Sequence, residues 1–415
     1  MKFKQRVMAK TILRTIRTFP AIVLTGPRQS GKTTLLKMLF AGTHTFVNLE
    51  DPDVRIRAKE DPIGFLNQYK LPVVIDEIQY APELLSYIKT RIDKNRKPGQ
   101  WLLTGSQNFL LMQNITQSLA GRAAILNLLP FSFSELIDKA ESTKPANKWI
   151  KALNNIRDDK NVMEMPKKSK LNSIFLRGLY PEIASNKNVD RQIWCGSYIT
   201  TYIERDIRNL TNVGDLNQFE RFLVSCAVRT GQILNISEIA RDIGISVTTA
   251  KRWLSLLETG YQIYLLYPYY KNIGKRIVKS PKIYFNDPGL CSYLLGFHDI
   301  EPLISGPSFG NLFETLVICD FLKRFYHHGM KPSMYYLRTR DGLEIDLVID
   351  MEGKLHLFEI KSTMTIIPKH ASHIQHIINS LGHKVETAGI ISYSEDSFPI
   401  VNNIYNYSWK EVLMI

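Results

Sequence analysis

Cysteine is scarce in this chain. Four occur among 415 residues, Cys195, Cys226, Cys291 and Cys319, and none forms a C-x-x-C pair. That spacing argues against a disulfide framework and against a cysteine-built zinc site. Long apolar runs are missing too, and no window approaches the ~20 apolar residues a membrane helix needs. Near the N-terminus the one apolar run, Ala21–Leu24, is too short for a signal-peptide core, and basic residues recur up to Arg17. These absences predict a cytoplasmic protein in a reducing compartment, with no membrane contact. Acids are outnumbered, 39 against 53 Lys and Arg, which leaves a formal net charge of +14. Such a surplus favours a polyanionic partner, nucleic acid or an acidic membrane face. Neither internal repeats nor long low-complexity tracts occur. A hydrophobic share of 44% with 22% charged residues excludes a largely disordered chain. The length predicts two to three domains.

The N-terminal third alternates short apolar runs with helical patterns. Ala21–Thr25, Thr45–Leu49, Leu71–Ile75 and Trp101–Thr104 read as buried strands, and a helix starts at Lys32. Strands alternating with helices predict a parallel α/β sheet, whose ligands bind at the carboxyl ends of the strands. There the sequence reads Gly26-Pro27-Arg28-Gln29-Ser30-Gly31-Lys32-Thr33-Thr34, a full match to the phosphate-binding loop G-x-x-x-x-G-K-[ST]. Its glycines let backbone N–H groups wrap phosphates at a helix N-terminus. Lys32 is expected on the β/γ-phosphates of ATP and Thr33 on Mg²⁺. The third strand runs into Asp76-Glu77. Asp76 fits the second Mg²⁺-holding acid, and Glu77 fits the residue that polarises the attacking water. Ser106 stands where it touches the γ-phosphate or merely completes a turn. Arg122 is an arginine-finger candidate, in cis or from a neighbouring subunit, with a surface ion pair as the plain alternative.

Further motifs occur in order: Asn48-Leu-Glu-Asp-Pro52, Ile75-Asp-Glu-Ile-Gln79, Leu103-Thr-Gly-Ser-Gln107, Leu119-Ala-Gly-Arg122, Leu129-Pro-Phe-Ser-Phe-Ser-Glu135, Gly178-Leu-Tyr-Pro-Glu182 and Tyr202-Ile-Glu-Arg-Asp206. With the phosphate loop they resemble the prokaryotic AAA-type ATPases that carry a C-terminal domain of unknown function called DUF4143. The resemblance spans nearly the whole chain except 138–170. It implies assembly as a homo-oligomer, a hexameric ring in one form.

Between Asp138 and Lys170, Lys, Asn, Ser and Asp dominate, which predicts a linker or solvated insertion. Residues 171–230 read as helical, with Trp194, Tyr198 and Tyr202 expected in the core. Then two helices meet at Gly244, the second N-capped by Ser246, with helix-turn-helix spacing. Thr248, Thr249, Lys251 and Arg252 are expected on the groove-reading face. The aromatic run 261–270 and the basic stretch Lys271–Lys282, including Lys275 and Arg276, resemble a wing. Residues 241–282 hold eight Lys or Arg against two acids, a surplus suited to phosphate contacts. A rigid spacer or protein dock is the alternative.

Glu314 on a helix, Asp346 on a strand, and Glu359-Ile-Lys361 ending the next strand follow in the order of the PD-(D/E)XK nuclease-like fold. That resemblance implies that Glu314, Asp346 and Glu359 hold Mg²⁺, with Mn²⁺ as a substitute, and that Lys361 acts on the attacking water. Glu344 is left out of the set, expected on the far strand face unless a bulge turns it in. His370, His373 and His376 read as a polar helix face rather than a metal cluster.

The sequence therefore predicts an α/β multidomain protein. Residues 1–137 form an AAA-type ATPase domain, 138–170 a linker or insertion, 171–285 a helical region with a winged helix, and 286–415 a PD-(D/E)XK-like domain. The expected function is ATP hydrolysis coupled to processing of DNA, branched DNA included, with a Mg²⁺-dependent nuclease site. The rival is a regulatory or signalling ATPase whose winged helix and nuclease-like scaffold bind DNA or protein and cut nothing.

Overall fold

The computed structural model describes residues 3–105, 118–156, 166–202, 216–270, 280–339, 342–381, 384–401 and 403–414. Five parallel strands open the chain: β1 (Ala21–Thr25), β2 (Thr45–Asn48), β3 (Val73–Asp76), β4 (Trp101–Thr104) and β5 (Ala123–Asn127), in the order β2-β3-β4-β1-β5. β1, β3 and β4 are buried throughout, as continuous apolar runs in a covered parallel sheet should be. β5 escaped the sequence reading because it is the edge strand: Ile125 lies exposed, so no unbroken apolar run marks it. Helices α1 (Met8–Thr15), α2 (Lys32–Phe40), α3 (Pro52–Glu60), α4 (Pro62–Gln68) and α5 (Leu84–Lys94) belong to this layer. The Asn48–Pro52 motif has a local cause: Asp51 caps α3 by accepting from the Asp53 N–H, and Pro52 takes the first helical position.

The 138–170 stretch is not simply a solvated linker. Helix Ala146–Ile156 buries Trp149, Ile150 and Leu153, and the Trp149 ring packs edge-on against Phe321 and Phe358. Its lysines and asparagines disguised an amphipathic helix.

The helix-turn-helix forms as expected. Helices Ile236–Ile243 and Val247–Thr259 meet at Gly244, whose φ of 80° closes the first, and the Ser246 hydroxyl accepts from the Thr249 N–H at 3.0 Å. A small antiparallel sheet accompanies them, β6 (Gln232–Ile233), β7 (Ile263–Leu266) and β8 (Lys282–Phe285), ordered β6-β8-β7.

The C-terminal part begins with helix Phe309–His327. A sheet follows of β9 (Met334–Arg338), β10 (Glu344–Met351), β11 (Lys354–Lys361), β12 (Val385–Ser392), β13 (Phe398–Val401) and β14 (Ile404–Ser408), ordered β13-β14-β12-β11-β10-β9. β9, β10 and β11 form an antiparallel meander, and helix Ser372–Leu381 returns the chain to β12, parallel to β11. The segment after β7 lies along β9: the Tyr336 N–H donates to the Tyr267 carbonyl at 3.1 Å, and the Tyr269 N–H donates to the Tyr336 carbonyl at 2.6 Å. One hydrophobic core runs from Leu129 to Met414, so the expected break at 285/286 divides no core.

Helix Phe309–His327 is buried on every side and carries Glu314, Asp320, Lys323, Arg324 and His327 into the interior. Asp320 accepts from the Phe133 N–H at 2.8 Å, and the Thr11 hydroxyl donates to the His327 carbonyl at 2.8 Å. Beside them Glu135 accepts from the backbone of Val7 (2.7 Å) and Ser132 (2.9 Å), with the Arg6 guanidinium 3.2 Å away. Burial alone would raise the Glu135 pKa; Arg6, His327 and the backbone donors overcome it and hold the carboxyl well below its usual range.

A carboxyl depressed in the folded state contributes stability above its unfolded pKa, near 4.3, and loses it as pH falls through the folded value. Glu135→Ala should cost about 3–5 kcal/mol, because it strands a buried guanidinium. Thermal melts across pH check this: the variant should melt lower at pH 7 and lose less on acidification than the parent.

Candidate functional site

Between β1 and α2 the chain adopts a backbone few residues allow. Gly26 has φ 147°, Gln29 φ 58° and Gly31 φ 92°. A Cβ at Gly26 would collide with the Leu128 carbonyl oxygen, so only glycine fits. The Lys32 amine donates to the carbonyls of Gly26 (3.1 Å) and Pro27 (2.9 Å), inside the curl of the loop. The Ser30 hydroxyl is buried with no hydrogen-bond partner among the described residues, a donor left over for a ligand. The cradle therefore fits a phosphate chain.

The Thr33 hydroxyl donates to Asp76 at 2.8 Å. The pair expected to share Mg²⁺ is thus in contact, joined across β1, β4 and β3. Glu77 follows in the left-handed region at φ 56°, strained for a glutamate, and its side chain lines the cleft over the loop. Gln79 donates to its carboxylate. Sequence reasoning missed Thr104, whose hydroxyl donates to Asp76 and accepts from the Glu77 N–H at 3.2 Å. Its place at the end of β4 was the available signal; attention went to Ser106, which lies outside the described residues. Tyr198 and Thr201, from helix Arg191–Tyr202, complete this cleft of about 410 Å³ with Arg28, Gln29, Gly31, Lys32, Thr33, Thr34 and Glu50. A second hollow of about 330 Å³ on the other side of Gly31 is lined by Phe3, Arg6, Thr34, Met38, Pro181 and Glu182 among others.

Arg122 cannot act in cis. Its carbonyl accepts from the Ala21 N–H at the amino end of β1, whereas the phosphate loop leaves the carboxyl end. Five extended residues separate them, roughly 16 Å. Its guanidinium grips Asp93 with two hydrogen bonds, 2.6 and 2.9 Å.

Residues 18–137 match the family model described as AAA domain. The chain carries a P-loop ATPase domain. Behind it, residues 168–301 match a domain of unknown function (DUF8612), and residues 309–411 match a domain of unknown function (DUF4143) that begins with the buried helix Phe309–His327. The chain is similar to an uncharacterized protein of Mycobacterium tuberculosis, 29% identical over 416 residues, covering 100% of this chain and 85% of that protein. It is similar to another of Methanocaldococcus jannaschii, 23% identical over 352 residues, covering 80% and 72%. Among solved structures it resembles a Walker-type ATPase of Pyrococcus abyssi (TM-score 0.42, 15% identity, 69% of this chain and 94% of that one). It also resembles RuvB of Thermotoga maritima (TM-score 0.30, 15% identity, 62% and 88%).

On the helix-turn-helix, Thr248, Lys251 and Arg252 are exposed, while Thr249 turns its hydroxyl 2.8 Å from Ser246 and is half-buried, occupied with the cap. Lys275 and Arg276 lie outside the described residues. Lys282, counted among the wing cations, is buried, its side chain 4% exposed. The turn that ends helix Val247–Thr259 reaches the ATPase domain. The Tyr261 hydroxyl donates to Asn127 at the end of β5 (2.7 Å) and lies 3.1 Å from Thr25, the residue before the phosphate loop. Next to it, the Gln262 amide donates to the Tyr198 hydroxyl at 3.1 Å.

The structure brings the C-terminal acids together. Leu347 pairs with Phe358, so Asp346 lies beside Glu359, and Lys361 approaches Glu359 at 2.6 Å. Burial, then the Asp346 charge, pushes Glu314 up to about 8 and Glu359 up to about 7. Glu344 belongs to the cluster, 2.5 Å from Lys282; the register of β10 against β9 shifts between Ile345 and Val348, the kind of irregularity the far-face expectation had excepted. At the centre stands Lys282, with Glu314, Glu344 and Asp346 at 3.0, 2.5 and 3.1 Å. Among the described residues no group of three His, Cys, Asp or Glu is arranged to hold a metal ion, and His373 and His376 are exposed.

Replacing Lys32 by Ala removes a charge-assisted contact to phosphate worth about 1.5–3 kcal/mol, so ATP affinity should fall roughly 10–100-fold. Titration with a fluorescent ATP analogue reads this directly.

Proposed function

We propose that this protein is an ATP-hydrolysing switch that binds DNA through helix Val247–Thr259 and does not cut it. The observation that carries the reading is the turn Tyr261–Gln262. One residue rests on the strand ends beneath the phosphate loop, the next on Tyr198 in the nucleotide cleft. A change at the γ-phosphate is therefore felt where the DNA-reading helix ends.

In this reading Lys32 binds the β/γ-phosphates, and Thr33 with Asp76 holds Mg²⁺, which supplies charge neutralisation on the phosphates. Glu77 orients the attacking water, and Gln79 and Thr104 fix its position. The mostly apolar hollow beside Thr34 and Met38 suits the adenine ring. Arg122, too far from its own loop, serves a neighbouring copy if the chain closes into a homo-oligomeric ring. Thr248, Lys251 and Arg252 meet DNA, branched forms included.

Cleavage needs a divalent cation among Glu314, Asp346 and Glu359, and an ammonium already pairs with two of them. That observation favours the non-cleaving reading over the nuclease. The helix–meander–helix–strand order supports kinship of the scaffold with PD-(D/E)XK folds, and a scaffold does not carry its chemistry with it.

Glu77→Gln should keep ATP affinity within about twofold while reducing steady-state hydrolysis at least about 100-fold, the general-base contribution; ordinary turnover would place the base elsewhere.

For DNA, the Lys251→Ala/Arg252→Ala protein should show a log K against log [salt] slope shallower by about two, near 0.9 per lost phosphate contact. An unchanged slope would favour a spacer role. Duplex, forked and four-way DNA should stay intact with Mg²⁺ and ATP; cutting that disappears in Asp346→Ala would overturn the non-cleaving reading.

A further inference from the structure

The divalent cation implied by the nuclease-like fold does not fit the acids as they stand, and the reason is a residue from another part of the chain. Lys282 begins β8, in the small sheet of the winged helix, and its ammonium enters the carboxylate cluster of the C-terminal sheet. An ammonium has three N–H donors. Three carboxylates, Glu314, Glu344 and Asp346, stand at 3.0, 2.5 and 3.1 Å, one for each. The acids have further partners, although the second oxygen of Glu359 is buried without a hydrogen-bond partner among the described residues. The Tyr284 hydroxyl donates to Glu314 at 2.5 Å, the Ile360 N–H donates to Asp346 at 2.9 Å, and Lys361 holds Glu359. A Mg²⁺ ion held by the Glu314 and Asp346 oxygens that face Lys282 needs them at about 2.0–2.1 Å, within the space the amine fills 3.0 and 3.1 Å from them.

We infer that Lys282 replaces the metal: it is a built-in cation that neutralises the carboxylate cluster and clasps the winged-helix sheet to the C-terminal sheet. The clasp has a backbone counterpart. Tyr267 and Tyr269 pair with Tyr336 of β9, and the Tyr336 hydroxyl donates to the Ser280 carbonyl at 2.7 Å. Both arms that lead into and out of residues 271–279 are thus fixed to β9, with Lys282 as the charged pin. The inference rests on the non-cleaving reading and explains it: the acids are retained as the socket of a lysine.

The test uses the full chain, without nucleotide, and Mn²⁺ alone as the probe, with bound metal counted by electron paramagnetic resonance. Wild type and Asp346→Asn should bind Mn²⁺ equally, because neither offers the cluster to a metal. Lys282→Met vacates the socket and should gain about one Mn²⁺ per chain, lost again when Asp346→Asn is added, with a Tm raised by Mn²⁺ in the single variant only. Wild-type Mn²⁺ binding that disappears in Asp346→Asn would overturn the inference, as would a folded Lys282→Met protein that gains no ion. If Lys282→Met fails to fold, the wild-type comparison decides alone. DNA cleavage by the wild type would sink the non-cleaving reading; Mn²⁺ held through Asp346 without cleavage would sink this inference only.

Discussion

Charges on a buried helix are costly unless they find partners, and in Phe309–His327 all but Lys323, whose amine has no hydrogen-bond partner among the described residues, do so. Its partners come from everywhere in the chain. Glu135 and the backbone of Phe133 belong to the end of the ATPase domain, Thr11 to its first helix, Lys282 and Tyr284 to the three-stranded sheet β6-β8-β7, and the Val412 carbonyl, which accepts from Arg324 at 3.2 Å, to the C-terminus. Lys323 is buried as well, its pKa lowered by burial. Breaking a buried ion pair on one side costs about 3–5 kcal/mol and stranding one of the hydrogen-bonding groups about 1–3, so together they set the relative placement of the three parts.

That placement gives the nucleotide cleft its second wall. The phosphate loop and Asp76-Glu77 come from the ATPase sheet, but Tyr198 and Thr201 come from helix Arg191–Tyr202, far later in the chain. Tyr198 is itself held by Tyr180 and Gln262, and Tyr180 stands just before the Pro181–Glu182 edge of the neighbouring hollow. Domain contact and ligand contact are made by the same side chains.

Local chemistry was legible in the sequence and tertiary chemistry was not. The phosphate loop, Asp76 at a strand end, the Ser246 cap and the Gly244 turn are set by residues within a few positions of one another, and each stands where its pattern put it. β5 and helix Ala146–Ile156 gave weak patterns: one is an exposed edge, the other hides Trp149, Ile150 and Leu153 among lysines and asparagines. For Arg122 the in-cis alternative stayed open because its motif carries no information about which end of the sheet it occupies. Lys282 read as a DNA contact because composition counts charges and does not see burial. Tyr198 and Tyr261 had no local signal that set them apart from ordinary core residues, and Thr104 had only its place at the end of β4.

The buried helix also fixes an order of events during synthesis. The hydroxyl of Thr11 waits for a carbonyl 316 positions later in the chain. At about 5–20 residues per second a ribosome needs roughly 15–60 s to supply it. Through that interval α1 rests on the ATPase sheet through Met8 and Ile12 but lacks its bond to His327, and the Glu135 carboxylate is short of one neighbour. The phosphate loop hangs beneath β1 with no Tyr261 to brace it. The nascent ATPase domain therefore lacks these contacts until its own C-terminal third arrives.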